Sequence, residues 1–189
     1  MEVEIKALKP ALLDDFLHFF DEIGFVDNPG WSVCYCQFYQ NALTNKEWGR
    51  CTKEQNRKAA IEKILNNEMN GFIAYLNSEP IGWVNAASKA SYPKFRQIEE
   101  IDEAENENIG SIVCFLIDPS HRKQGIASLL LKHVSTEFRA KGYKVLEAYP
   151  RKGVSKDPQN YHGPLSMYLS EGFTVYQDFK NMITVRKEL

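Results

Sequence analysis

The chain has 189 residues, 43% of them hydrophobic and 25% charged, with a formal net charge of −2. That length suits one domain, 1–189, with a real core, and the composition is that of an ordinary globular protein. The near-balanced charge gives no electrostatic reason to expect nucleic acid, no apolar run approaches a membrane span, and Met1-Glu2-Val3-Glu4 is the wrong start for a signal peptide, so a cytoplasmic location is expected.

Residues 2–7 alternate, with Val3, Ile5 and Ala7 expected to face inward, and read as a first strand. Pro10 opens a helix whose stripe is Leu12, Leu13, Phe16, Leu17 and Phe20, ending at Gly24. In the stretch that follows, six of the nine residues from Trp31 to Tyr39 are aromatic or cysteine. They read either as a segment packed under a sheet or as a wall of a binding pocket, since large aromatic side chains shape pockets at low entropic cost. Cys34-x-Cys36 alternates like neighbours on one strand face. Without a secretory signal the cysteines Cys34, Cys36, Cys51 and Cys114 are expected as reduced thiols, and no metal is expected, because Cys34, Cys36 and Cys51 with His18 lack the paired Cys-x-x-Cys spacing of a zinc site.

Thr52 and Gln55 form a capping-box pair before a second helix that runs to about Asn67. Residues 71–76 and 81–88 make a hairpin around the turn at 77–80. A long connection, 89–110, carries Glu99, Glu100, Asp102, Glu103, Glu105 and Glu107, either a solvated face or a lid that attracts a cationic amine. The apolar run at 111–117 suits a strand buried on both faces, and after Asp118-Pro119-Ser120 a helical pattern begins with Ile126, Leu130, Val134 and Phe138 on its stripe and stops at Lys141-Gly142. Residues 144–148, 174–179 and 183–187 read as strands and 165–170 as a short helix, with a polar loop at 149–162.

The loop between the 111–117 strand and the following helix is suited to an anion. The first helical turn leaves backbone N–H groups without partners, Gly125 has no Cβ to hinder approach, and Arg122 and Lys123 add positive charge, so a phosphate or pyrophosphate is the expected guest. The glycine patterns of a P-loop and of a dinucleotide fold are both missing.

Arg122-x-x-Gly125-x-Ala127 after an apolar strand and Asp118-Pro119 resembles the acetyl-CoA pyrophosphate loop of the GNAT N-acetyltransferase superfamily. Met167-Tyr168-Leu169-Ser170-Glu171-Gly172-Phe173 resembles that family's second signature, in the family's order. The aromatic stretch with Cys34-x-Cys36, Val113-Cys114-Phe115 and Tyr149-Pro150 is also similar to a set of GNAT-like bacterial proteins. The resemblance implies an α+β fold: a mixed, mostly antiparallel sheet of about six to seven strands, flanked by about four helices, with a splay between 111–117 and 144–148. It implies acetyl-CoA as co-substrate, held by Phe115, Leu116 and Ile117 along its pantetheine arm, by the loop Arg122, Lys123, Gln124, Gly125, Ile126 and Ala127 at its pyrophosphate, and near Asn160. Phe115 N–H would polarise the thioester carbonyl. Tyr168 falls where the family places its general acid. Glu147 is the tentative general base, His162 a second option and Cys114, as a nucleophile, a third. Two departures stand out: Tyr161 holds the position of an expected Asn, and Lys123 replaces a frequent glycine, which should stiffen the loop. The reading is an acetyl-CoA-dependent N-acetyltransferase acting on a small-molecule or peptide amine; the alternative is a non-catalytic acyl-CoA-binding regulatory module. A homodimer is an open option, and neither nucleic acid nor membrane is an expected partner.

Overall fold

The computed structural model describes residues 2–95, 108–154 and 160–189. The acidic positions Glu99 to Glu107 therefore lie outside the described residues. Seven strands form one sheet: β1 (Glu4–Ala7), β2 (Gly71–Leu76), β3 (Glu79–Ser88), β4 (Ile109–Ile117), β5 (Val145–Ala148), β6 (Thr174–Asp178) and β7 (Ile183–Glu188), in the order β1-β2-β3-β4-β5-β7-β6. Only β4 and β5 are parallel; the other pairs are antiparallel. Among the described residues the α-helices are α1 (Leu13–His18), α2 (Asn45–Trp48), α3 (Lys53–Leu65), α4 (Ile126–Ala140) and α5 (Leu165–Ser170). The expected mixed α+β architecture is the observed one, with one helix more than expected. That extra helix, α2, is a single turn held by a Thr44–Glu47 capping box. None of these helices is long and apolar enough to cross a membrane.

Both faces of the sheet are covered, which explains its near-continuous apolar strands. On β2, Phe72 and Ala74 join Leu130, Val134 and Phe138 of α4 on one face, while Ile73 and Tyr75 join Phe16, Phe19, Phe20 and Trp83 on the other. The first helical stretch is less regular than its periodicity suggests. A 3₁₀ turn at Pro10–Leu12 leads into α1, which passes into a π-turn at Phe19–Ile23 closed by Gly24 N–H donating to Phe19 O at 2.8 Å. This widened turn keeps Phe16, Phe19 and Phe20 all buried. At the chain start Ala7 is exposed and Leu8 takes the inward place. The hairpin turn narrows to Asn77-Ser78, both left-handed (φ 51° and 69°), the twist that two-residue hairpin loops require.

The β4–β5 pairing is short. It runs from Ile109 opposite Val145 to Ile112 opposite Ala148 and then ends. Beyond that point β4 continues against β3, where a register shift between Asn85 and Ala86 leaves Val113 as an extra, bulged residue. A bulge bends and twists its strand. The expected splay is therefore present, opening above Ile112.

A buried polar cluster anchors the paired part below the split. Glu147, fully buried on β5, receives Lys89 Nζ at 2.8 Å, Arg186 Nε at 2.6 Å and the Tyr149 hydroxyl at 2.5 Å, and the Tyr149 hydroxyl also lies 2.7 Å from Ser111 Oγ. Burial works to raise the Glu147 pKa, but Lys89, Tyr149 and Arg186 together outweigh it and hold the carboxyl below its usual value. A depressed folded-state pKa means that the stabilisation is complete above the ordinary carboxylate value of 4.5 and is lost as pH falls through the folded-state value. Glu147→Gln removes a buried charge that both Lys89 and Arg186 pair with and should lower stability by about 3 kcal/mol in urea unfolding at neutral pH, a difference that shrinks as the medium is acidified.

Candidate active site

A cavity of about 580 Å³ opens where β4 parts from β5, running from the start of α4 to the aromatic stretch. Val113 to Ile117 of β4 contribute one side of it. At the other end the helix start supplies Gly125, Ile126 and Ala127. No side chain caps α4, and nothing stands within 4 Å of where a Cβ on Gly125 would lie. Backbone N–H groups, a positive dipole end and open space above a glycine fit an anionic group such as a pyrophosphate.

The loop before α4 achieves this with two left-handed residues, Lys123 (φ 60°) and Gly125 (φ 84°). A lysine in that region carries a steric cost a glycine would avoid. Loop side chains are tied locally: Asp118 accepts the Ser120 N–H at 2.9 Å and Gln124 Nε2 donates to Ser120 O at 2.9 Å. Arg122 differs from the simple expectation of a phosphate-seeking cation. Its guanidinium grips Asp27 through both terminal nitrogens, at 2.5 and 3.1 Å, and donates to Ile117 O at 3.2 Å. Its charge is thus compensated, and it fastens the 25–31 turn to the end of β4. Asp27 was not a candidate from sequence; nothing local marks it as the partner of a residue 95 positions away.

The 31–39 stretch is both core and wall. It is not a strand, so Cys34 and Cys36 do not share a strand face as alternation suggested. Tyr35 and Cys36 are consecutive left-handed residues (φ 42° and 52°), which reverse the chain and drive both side chains into the core. There the Tyr35 hydroxyl donates to Asp21 and Trp83 Nε1 donates to Cys36 Sγ at 3.2 Å. The flanking Trp31, Cys34, Phe38 and Tyr39 are turned to the cavity, joined by Trp48 from α2. Burial, the neighbouring Cys36 and opposing backbone N–H groups leave the Cys34 pKa pushed up to about 12. Its hydrogen bond with Cys36, then burial, raises that of Cys114. Both are protonated thiols at neutral pH, poor nucleophiles. Among the described residues no three His, Cys, Asp or Glu side chains converge on a metal-sized position.

The segment 160–163 lies along the open β4 edge. Phe115 N–H, the expected thioester contact, donates to Tyr161 O at 2.5 Å, and the Tyr168 hydroxyl donates to His162 O at 2.6 Å. Asn160, Tyr161 and Gly163 line the cavity; Tyr168 is fully buried and is not among the lining residues. Burial, with a smaller contribution from Cys114, raises the Tyr168 pKa well above its ordinary value, so the phenol keeps its proton. His162 is 4% exposed and its Nδ1 has no partner. Burial, then Arg151, lowers its pKa to about 3 against a bond to the Val113 backbone, so the ring stays neutral. Glu147 is not brought to the cavity: its oxygens face Lys89, Arg186 and Tyr149 in the network below the split, and it acts there as an anchor.

The sequence model of the acetyltransferase (GNAT) family matches residues 35–159. No curated protein matches the chain. Among solved structures the chain is similar to the PaiA N-acetyltransferase from Thermoplasma acidophilum in complex with coenzyme A, at 18% identity and TM-score 0.57 with all of both chains covered. It is also similar to an N-acetyltransferase from Staphylococcus aureus Mu50, at 17% identity and TM-score 0.60 over 100% of this chain and 99% of that one. A third is yncA, a putative acetyltransferase from Salmonella typhimurium with acetyl-CoA, at 14% identity and TM-score 0.57 over 99% of this chain and 94% of that one. At such identities these likenesses speak for the fold, whereas the family model covers well over half of the sequence, so the chain belongs to the acetyltransferase (GNAT) family and is an acyltransferase of the GNAT type.

Proposed function

We propose that the chain transfers an acetyl group from acetyl-CoA to the primary amine of a small molecule or peptide, by direct attack of the amine on the thioester. The observation that carries this reading is one continuous cavity joining the uncapped start of α4 to the edge of β4 that β5 leaves after Ile112. That two proteins of the same fold hold coenzyme A or acetyl-CoA supports it. Acetyl-CoA supplies an acyl group already activated as a thioester.

The chain's own residues then have separable tasks. The amides from Arg122 to Ala127 bind diphosphate, with Lys123 adding charge. Leu116 and Ile117 line the cavity along the β4 edge, where the Ile117 backbone faces outward, and Asn160 lies beside it. Phe115 N–H is the donor for the carbonyl oxygen, and Tyr168 is the proton donor to the departing sulfur. Both donors are occupied by the 161–162 carbonyls, so using them requires those two hydrogen bonds to be exchanged. That same occupancy, with Glu147 enclosed in its ion pairs, favours the second reading, a non-catalytic acyl-CoA-binding module. Free-thiol release with an amine panel separates the two, because a module binds CoA and releases none.

Three results are expected. Calorimetric titration should show saturable CoA binding, weakened at least about tenfold by Gly125→Asp, which sets a carboxylate and a strained φ at the diphosphate position; absence of CoA binding by the unmodified chain would remove the reading. Lys123→Gly should raise thermal stability by about 0.5–1 kcal/mol while weakening CoA binding, since it relieves a left-handed side chain and removes a charge. Tyr168→Phe should lower kcat by about tenfold to a hundredfold with KM nearly unchanged, measured by thiol release.

A further inference from the structure

The end of the cavity away from the α4 start has an unusual charge balance for a site that takes an amine. Asp27 is the one acidic residue among the described lining residues, and Arg122 neutralises it. The aromatic faces already carry cations of the protein itself. Lys94 Nζ lies 4.7 Å from the Phe38 centroid, and the Arg151 guanidinium lies 6.0 Å from that of Tyr161. Ring faces attract one cation, and a second beside it meets repulsion. A protonated alkylamine entering here finds positive charge and, among the described lining residues, no free carboxylate partner.

Nor do the described residues at the site offer it a base. Glu147 is enclosed by three donors, Cys34 and Cys114 are neutral thiols, and His162 is buried behind Tyr161. An alkylamine with a pKa of about 10 is almost wholly protonated at neutral pH and would have to be deprotonated on the enzyme. An arylamine is not, because its lone pair is delocalised into the ring and it arrives neutral.

The wall has the shape for such a ring. Trp31 and Tyr161 stand edge to face with centroids 5.1 Å apart, and Arg151 Nη1 donates to the Tyr161 hydroxyl at 3.4 Å. Arg151 lines the cavity and makes no ion pair among the described residues. A ring resting on Trp31 and Tyr161 would place a substituent toward a guanidinium that no carboxylate among the described residues engages.

We propose that the acceptor is an aromatic amine bearing an acidic group, its ring seated against Trp31 and Tyr161 and its carboxylate paired with Arg151. The assignment rests on the acetyl-transfer reading and narrows it. In the reaction the amine nitrogen forms a bond to the acetyl carbon as the C–S bond breaks; the nitrogen loses one proton and the departing thiolate gains one, giving an anilide and free CoA thiol.

The test is thiol release from acetyl-CoA by the whole chain with 4-aminobenzoate, aniline, benzylamine and spermidine, beside the CoA titration. The expected result is kcat/KM for 4-aminobenzoate at least about tenfold above the other three, with the preference over aniline falling to near unity in Arg151→Ala through a raised KM and partly returning in Arg151→Lys. Benzylamine or spermidine as the better acceptor, an unchanged 4-aminobenzoate-to-aniline ratio in Arg151→Ala, or no arylamine turnover each overturns the proposal. If CoA binds and an alkylamine turns over, acetyl transfer stands and the aromatic acceptor falls; if CoA does not bind, both fall.

Discussion

The pairing of β4 with β5 ends at Ile112 and Ala148, and the site exists because it ends there. Two features on either side of that rung make the ending sharp. Above it, the bulge at Val113 turns β4 away, and Pro150, which has no N–H to donate, follows β5. Below it, Ser111, Glu147, Tyr149, Lys89 and Arg186 form one hydrogen-bonded cluster across β4, β5 and β7, so the paired part cannot drift apart. A buried carboxylate with three donors is costly to assemble and costlier to break. Its placement directly under the split suggests a reason beyond stability: it defines where a hydrogen-bonding strand edge becomes available.

Part of the backbone strain lies around the same opening. Left-handed non-glycine residues occur at Tyr35 and Cys36 and again at Lys123. Each serves to direct groups rather than merely to turn the chain. The first pair buries two side chains and turns their neighbours to the cavity; the second brings amides to a helix start. Strain of about 1 kcal/mol or more per residue persists only where surrounding contacts over-determine it. For Tyr35 those contacts are stacking on Phe20, with centroids 5.7 Å apart, and the bond to Asp21.

Charge within the cavity is arranged by pairing as much as by composition. Although the overall charge is only −2, several acids among the described residues are compensated by specific cations: Asp27 by Arg122, Asp118 by His121, and Glu147 by Lys89 and Arg186. Among the described lining residues, Arg151 stands beside the aromatic wall. Net charge alone does not tell which charged groups face the cavity and which are paired away from it.

Sequence by itself determined the strand–loop–helix unit at 111–140, the hairpin and the cap at Thr52, because these rest on local periodicity and turn chemistry, and it pointed to the family through the resemblance of its two motifs. It also marked Gly125, which has no Cβ, as the position where an anion is expected to approach. The splay's exact rung, the bond from Arg122 to Asp27, the enclosure of Glu147 and the cover that Tyr161 and His162 place over Phe115 and Tyr168 were decided only by tertiary structure. Each of these joins residues far apart in the chain through side-chain charge or an unpaired backbone edge, and no local pattern encodes which distant partner will satisfy it. The 31–39 stretch lies between the two cases: its aromatic content was legible, but which rings face the core and which the cavity depended on two left-handed residues that composition does not mark.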